Sequence, residues 1–495
     1  MSFSELYVDT SGSDNNAGTS AGSAKSSGTQ ATVVSGNPVV VLLPDNPDLS
    51  TVIDYQDYIR LDTMTDGIRN TDTYQIIAHD NGALVKTVTV KPTPGSSASL
   101  IVWAIGGAWA TIQRSVNIVS SVYLNSQNDP PRVNIKSSTY AESNGVSISV
   151  DTNDPGAGTP LIPITFQSYG STLGDGTKAT ITYNRVGVSP PHSVLSFTVA
   201  NAELYMRWVD IRFTQENDNS VSGTIRGCST IIGNSTRYLL FQNCEAVYDQ
   251  KLRTGLSSNT EATVAKEGIA CIRQFRYSHF INCLCENLQQ GSNSSNASCV
   301  NKCYECLFVD CVFQGGNAIN IGVNTATFIH CLLLNAFEQS IWFINSDTNS
   351  NNVCGGAIIN CTVHNNTSLG FEPIGVSSNT TMGLVYNTIV TSGQGNYAIN
   401  IGSGHIIGFK NFFPRDYENQ GVSSGFTSDN YISYQDKDDG FVQYINPTND
   451  DYRIKSSSAA RSRNVVNFKN VAIGYFDTGA IERQEQIIKL NSEEY

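Results

Sequence analysis

Between Met206 and Phe413 apolar and polar residues alternate in short stretches that repeat one phrase. Its copies are Trp208-Val209-Asp210-Ile211, Phe241-Gln242-Asn243-Cys244, Phe280-Ile281-Asn282-Cys283, Phe308-Val309-Asp310-Cys311, Phe328-Ile329-His330-Cys331, Ile358-Ile359-Asn360-Cys361, Val385-Tyr386-Asn387-Thr388 and Phe409-Lys410-Asn411-Phe412. Each runs apolar, any residue, Asn or Asp (once His), then usually Cys. Alternation at period two predicts a strand with one buried face. The interval between copies varies from 20 residues (Cys311 to Cys331) to 39 (Cys244 to Cys283). Constant rungs joined by turns of variable length are the mark of a solenoid.

A second phrase falls between copies of the first. Ala318-Ile319-Asn320-Ile321-Gly322 recurs as Ala398-Ile399-Asn400-Ile401-Gly402, and Gly268 to Ile272, Ser340 to Ile344 and Pro373 to Val376 hold the same place. Each coil therefore has at least two strands joined by a polar bend. The predicted fold is all-β, a right-handed parallel β-helix with inward Ile, Val, Phe and Cys stacked coil on coil at about 4.8 Å. A β-sandwich also alternates, but it does not repeat one phrase with Asn or Asp at the same point. That Asn can bond its neighbours in a ladder and tolerates a left-handed backbone. Asp and His take its place in some copies, which predicts an interrupted ladder.

Upstream the texture differs. Leu6-Tyr7-Val8-Asp9 reads as a strand, followed by the turn-rich loop Thr10 to Thr19. Calcium is possible there on Asp9 and Asp14, against an Asx-turn loop without metal; the terminal Glu of a calcium hand is missing. Val39 to Leu43, Tyr58 to Leu61, Tyr74 to Ile77 and Thr87 to Val90 predict a small inserted antiparallel β-barrel near the N-terminus. Trp103 and Trp109 beside Gly106-Gly107 suit either a sugar-stacking platform or packing between barrel and first coil. Residues 116–200 read as early coils, and residues 420–482 as a C-terminal cap covering the last rung. The boundaries so read are 1–36 for the opening strand and loop, 37–100 for the barrel, 101–419 for the β-helix and 420–495 for cap and tail.

The chain has 495 residues and a formal net charge of −13, with only 15% charged residues. No basic patch with interleaved aromatics is present, so nucleic acid is not an expected partner. No apolar run is long enough for membrane insertion, and Met1 to Asp14 lacks the pattern of a secretory signal. All twelve Cys lie between Cys228 and Cys361, mostly in or beside the strand phrase. They read as small buried filler kept as thiols, which implies assembly in a reducing cytoplasm. Cys299, Cys303 and Cys306 near Cys311 lack paired C-x-x-C spacing, so zinc is not expected.

Several stretches resemble right-handed parallel β-helix proteins of phages and bacteria, the pectate-lyase-like superfamily. They are the Leu6-Tyr7-Val8-Asp9 opening with its Gly/Ser/Asp loop, Trp103 to Ile112, Pro163 to Gly176, and Asp451-Tyr452-Arg453-Ile454-Lys455 with Asp477-Thr478-Gly479-Ala480. The resemblance implies a virion surface protein of tail or capsid, tailspike- or fibre-like, assembled in the host cytoplasm. It implies a homotrimer among other virion proteins that attaches to a host surface polysaccharide. Two alternatives share the fold: a polysaccharide depolymerase (lyase or glycoside hydrolase), and a capsid decoration protein with no enzymatic role. A secreted bacterial enzyme is a further option that the missing signal disfavours.

A depolymerase of this fold would need carboxylates in a groove, paired for hydrolysis or acting as a base beside calcium for elimination. Glu267, Glu338 and Glu372 each precede the second phrase, and Asp347 follows one copy of it. These four are the candidate catalytic residues; the competing reading is solvated bend residues. The six His are scattered, and His330 reads as a bend residue rather than a general base.

Overall fold

The computed structural model describes residues 5–14, 21, 23–34, 39–54, 57–62, 73–83, 85–91, 98–122, 132–150, 157–161, 163–185, 193–217, 229–250, 269–287, 297–315, 322–334, 339–343, 354–365, 372–376, 381–386, 388–392, 399–401, 405–409, 444–446, 451–454, 464–468 and 471–476. They fall into two units, residues 1–290 and 291–495.

In the first unit three rows of parallel strands wind upward. One row runs Glu5–Val8, Arg132–Lys136, Ile164–Tyr169, Met206–Val209, Leu240–Gln242 and His279–Ile281. A second runs Val146–Ile148, Leu195–Phe197, Ser229–Arg237 and Ile269–Arg276. The third runs Thr139–Ala141, Ala179–Arg185, Ile211–Asn217, Glu245–Gln250 and Leu284–Asn287. A coil is one strand from each row, and every pairing between coils is parallel. Crossovers between parallel strands are right-handed for steric reasons, so this is a right-handed parallel β-helix.

The phrase's first residue is what stacks. Phe166, Trp208, Phe241 and Phe280 are paired one above the next. Phe166 lies 4.3 Å from Trp208 at 7°, and Phe241 lies 5.1 Å from Phe280 at 3°. Each is at most 1% exposed. In the second unit Phe308, Phe328, Ile358 and Val385 hold the same register, with Phe308 and Phe328 stacked at 4.9 Å. Burial of each such side chain is worth about 1.5–3 kcal/mol.

The second unit repeats the plan with Ala297–Val309, Gly322–Ile329, Cys354–Ile359, Thr381–Tyr386 and His405–Phe409 in one row. Gln339–Phe343, Glu372–Val376 and Ile399–Ile401 form a second row. Val312–Gly315, Leu332–Leu334, Thr362–Asn365 and Ile389–Ser392 form a third. Within the expected cap, two antiparallel hairpins pair Tyr444–Asn446 with Asp451–Ile454 and Asn464–Phe468 with Val471–Phe476. Residues 447–450 and 477–495 lie outside the described residues.

The bend after each phrase strand is left-handed. Asp210, Asn243, Asn282, Asp310, His330 and Asn360 have φ of 58°, 53°, 52°, 53°, 54° and 53°. Asn and Asp enter this region at least cost among residues with a side chain, which explains the repeated letter. Among the described bends of each unit, Asp and His do not break the ladder, contrary to the expectation from sequence. Asn282 Nδ2 donates to Asn243 Oδ1 at 3.2 Å, and Asn243 Nδ2 donates to Asp210 Oδ1 at 2.5 Å. In the second unit Asn360 Nδ2 lies 3.0 Å from His330 Nε2, and His330 Nδ1 lies 3.5 Å from Asp310 Oδ1. With a ring proton on Nδ1 only, His330 accepts from Asn360 through Nε2 and faces Asp310 with a donor. Asp and His therefore carry the ladder because each supplies the polarity its neighbour lacks.

The Cys slot is equally regular. Cys244 Sγ donates to Trp208 O at 3.2 Å, Cys283 to Phe241 O at 3.5 Å, Cys331 to Phe308 O at 3.5 Å and Cys361 to Phe328 O at 3.6 Å. Each thiol thus bonds the aromatic residue's carbonyl one coil below. Thr388 does the same with its hydroxyl to Ile358 O at 3.5 Å. The ten described cysteines are buried thiols outside any disulfide. Burial pushes the Cys244 thiol up to about 12 and raises Cys331 as well.

The inserted barrel closes with six antiparallel strands: Ser26–Val34, Val39–Leu43, Lys86–Lys91, Thr73–Asp80, Tyr58–Leu61 and Ala98–Ile105. Val41, Leu43, Ile59, Leu61, Tyr74, Ile76, Val88 and Trp103 fill its core. After it, residues expected to resume as coil form instead an α-helix, Ile112–Val122. Ile112, Val116 and Val119 recur at helical spacing and are buried. Thr111 Oγ1 accepts from Arg114 N at 3.1 Å as an N-cap, and Glu142 Oε1 accepts from Ile112 N at 2.8 Å. These caps outweigh the strand preference of a run rich in Val and Ile. Among the described residues no helix is long and apolar enough to cross a membrane.

Candidate functional site

Of the four candidate carboxylates, Glu267, Glu338 and Asp347 lie outside the described residues. Glu372 opens the strand Glu372–Val376, in register with Gln339 one coil below. Only its backbone position is described.

The opening loop has a different use for its acids. Asp14 Oδ1 accepts from Ala110 N and Thr111 N, both at 3.0 Å, and Asp14 Oδ2 accepts from Thr111 Oγ1 at 2.8 Å. Asp9 Oδ1 accepts from Ser11 N at 2.9 Å. The loop is thus an Asx turn plus an anchor on the helix start, where negative charge meets free N–H groups. Among the described residues no group of three or more His, Cys, Asp or Glu is arranged to hold a metal. Trp103 and Trp109 are 1% and 0% exposed, so they are packing residues and not a sugar-stacking platform. Gly106 and Gly107, with φ of 65° and 75°, let the chain turn between them.

Another side of the first unit presents aromatics outward. Tyr205, Tyr238 and Tyr277 each stand three residues before the inward aromatic of successive coils, Trp208, Phe241 and Phe280. Tyr205 and Tyr238 stack at 5.2 Å and 4°, and Tyr238 and Tyr277 at 5.9 Å and 25°. Tyr238 is 38% exposed and Tyr277 42%. Their backbones are left-handed, with φ of 64° and 47°. That conformation costs a bulky residue about 1–2 kcal/mol, and stacking returns about 0.5–1.5 kcal/mol per pair. The strain is held at an exposed bend where a glycine would relieve it. Leu161, 89% exposed, sits in the segment that bonds Tyr205 from the coil below, where Tyr205 N donates to Ala157 O at 2.7 Å.

Because the rings face one another, they offer a partner their edges and hydroxyls, repeated once per coil. Arg237 NH1 lies 3.3 Å from Glu203 Oε1, and its guanidinium carbon is 5.8 Å from the Tyr277 ring centre. Burial, with Glu203 and Tyr238 alongside, raises the Tyr205 phenol above its ordinary value, so it remains a hydrogen-bond donor at neutral pH. The phrase as read from the sequence began at the inward aromatic and stopped short of this tyrosine.

No family model matches the chain, and no curated protein matches it in sequence. Solved structures similar to it include pectate lyase Pel9A, at 11% identity, with 76% of this chain and 92% of that one covered and a TM-score of 0.39. The tailspike protein gp49 from Pseudomonas phage LKA1 is similar at 10% identity, over 79% of this chain and 63% of that one, with a TM-score of 0.23. Geobacillus virus E2 ORF18 is similar at 12% identity, over 63% of this chain and 59% of that one, with a TM-score of 0.26. The three parallel strand rows, with their left-handed Asn bends and inserted antiparallel barrel, make this chain an all-β protein built on a right-handed parallel β-helix.

Proposed function

We propose that this protein is a tailspike- or fibre-like virion protein that attaches to a host surface polysaccharide through the Tyr205–Tyr238–Tyr277 ladder. The observation that carries the reading is the repetition itself. A polymer of similar units is matched by a surface that presents the same ring edge and hydroxyl at each coil, 5.2 and 5.9 Å apart. Tyrosine suits this role because it gives large contact area and a polar tip at little entropic cost. Attachment of this kind gains from several copies, so a homotrimer that also contacts other virion proteins belongs to the proposal.

The test is retention of the full-length protein on immobilised host capsule. Tyr277→Ala and the pair Tyr238→Ala/Tyr277→Ala should lose at least roughly tenfold in affinity, about 1.4 kcal/mol. Unchanged parallel-β circular dichroism keeps misfolding out of the comparison. Equal retention of all three proteins overturns the reading. New reducing or unsaturated ends in the eluate would mean that the capsule is cut as well as bound.

A further inference from the structure

The Asn-Gly pair occurs twice in the chain, at Asn81-Gly82 and Asn144-Gly145. Such pairs bend the backbone easily, which is reason enough to find them in turns. Their surroundings here differ. Asn81-Gly82 follows the barrel strand Thr73–Asp80 and is held from several directions. Leu49 N donates to Asn81 Oδ1 at 3.1 Å. Asp80 Oδ1 accepts from Gly82 N at 2.8 Å. Lys86 Nζ donates to Asn81 O, the carbonyl of the peptide bond whose nitrogen is Gly82 N. The Asp48 carboxylate accepts from the Asn81 side chain. At the other pair, Gly145 N donates to a backbone carbonyl, Glu142 O, at 3.2 Å.

The contacts of the first pair are those that ring closure between its two residues requires. The nucleophile is Gly82 N, which must lose its proton, and a carboxylate sits on that proton. The Lys86 ammonium draws electron density from the same peptide group and makes its N–H more acidic. The Leu49 N–H meets the oxygen on which charge develops when Asn81 Cγ is attacked, as a donor in an oxyanion hole does. Gly82 is exposed and has no side chain to obstruct the approach. We propose that Asn81 is a self-modifying site, which the folded barrel drives to a succinimide and then to aspartate or isoaspartate.

The steps balance without an oxidant or cofactor. Asp80 takes the Gly82 proton, Gly82 N bonds to Asn81 Cγ, and the Cγ–Nδ2 bond breaks as ammonia leaves with that proton. Water then opens the ring. Opening at Cγ gives aspartate on an ordinary backbone, and opening at the main-chain carbonyl gives isoaspartate. Either product sets a second carboxylate beside Asp48, and isoaspartate also lengthens the backbone of the turn. Leu49 is fully buried in the barrel core, so the modification loosens the barrel from this end.

The experiment incubates the full chain at mildly alkaline pH, folded and in urea, and measures aspartate and isoaspartate at both pairs by peptide mass spectrometry. The unfolded chain reports the intrinsic reactivity of each pair, so the folded-to-unfolded rate ratio isolates what the structure adds. The ratio should be roughly ten or more at Asn81 and below one at Asn144. Asp80→Asn keeps an acceptor for Gly82 N but cannot take its proton, and should slow conversion in the folded chain roughly a hundredfold. Lys86→Gln should slow it roughly tenfold, the worth of one charge-assisted hydrogen bond. Both differences should vanish in urea. Gly82→Ala should block conversion by crowding the nucleophile, while the turn accepts it, because an added Cβ meets Asp80 Oδ1 at an ordinary 3.5 Å. A ratio of one or less at Asn81 overturns the proposal, since the turn then protects the pair. A high ratio that Asp80→Asn and Lys86→Gln leave unchanged overturns the roles given to those side chains.

Discussion

Replacing Asn243 separates the two roles given to the ladder residue. Its Nδ2 donates to Asp210 Oδ1 at 2.5 Å, its Oδ1 accepts from Asn282 at 3.2 Å, and its backbone sits at φ 53°. Asp210 is 6% exposed, so losing that donor leaves a poorly solvated carboxylate, at about 1–3 kcal/mol. The second, more exposed bond is worth about 0.5–1 kcal/mol. Asn243→Gly loses both bonds but relaxes the left-handed backbone, for a net cost of about 2–3 kcal/mol after its greater unfolded-state entropy. Asn243→Ala loses the same bonds and holds a Cβ in a conformation that costs about 1 kcal/mol more. Scanning calorimetry of the three proteins should therefore rank wild type above Gly and Gly above Ala. An Ala variant as stable as the Gly variant would refute the bend argument. A Gly variant as stable as wild type would refute the ladder.

Three further outcomes are expected. Phe241→Ala, which empties a stacked position against Phe280, should cost about 3–5 kcal/mol, read as a lower melting temperature, whereas Phe241→Leu should cost much less. Buried, protonated Cys244 and Cys331 should resist iodoacetamide at pH 8 in the native protein and react after denaturation, as read by peptide mass spectrometry; native labelling of either would contradict their burial. Backbone N–H groups of Gly170 and Thr177 hold the Asp175 carboxyl well below its ordinary value. A depressed carboxylate stabilises above its unfolded pKa of about 4 and loses that contribution as pH falls toward the folded value. The melting-temperature gap between wild type and Asp175→Asn should therefore shrink from pH 6 to pH 3, and a gap that widens would contradict the turn's geometry.

The parts of the fold legible in the sequence were those where one physical demand repeats. Phe241, Phe280, Phe308 and Phe328 must each fill one slot in a column, and Asn243, Asn282 and Asn360 must each turn left after it. The helix Ile112–Val122 was hidden because Val and Ile suggest strand, while the carboxylates that hold its start, Asp14 on Thr111 N and Glu142 on Ile112 N, are distant in sequence. The barrel's closing strand Ser26–Val34 was hidden because its first half is Ser, Gly, Thr and Gln with little burial to alternate. Continuity through His330 depends on a ring tautomer that spacing cannot reveal. The tyrosine ladder had a signal, Tyr-x-x-Trp or Tyr-x-x-Phe in three successive copies. It escaped because an exposed aromatic in a bend has no period of its own until coils are stacked.

Stacking in register is the claim on which the inward aromatic column, the tyrosine row and the ladder all depend. It is tested most directly by pairs of engineered thiols on the outward strand face. Leu240 is in parallel register with His279, so Leu240→Cys with His279→Cys places the two Cα atoms one strand spacing apart, about 4.8 Å and within disulfide reach. Leu240→Cys with Ile281→Cys is offset by two residues along the strand and beyond that reach. The account expects mild oxidation to yield the 240–279 disulfide peptide and no 240–281 peptide by mass spectrometry. The 240–281 bridge alone, or neither bridge, would contradict it.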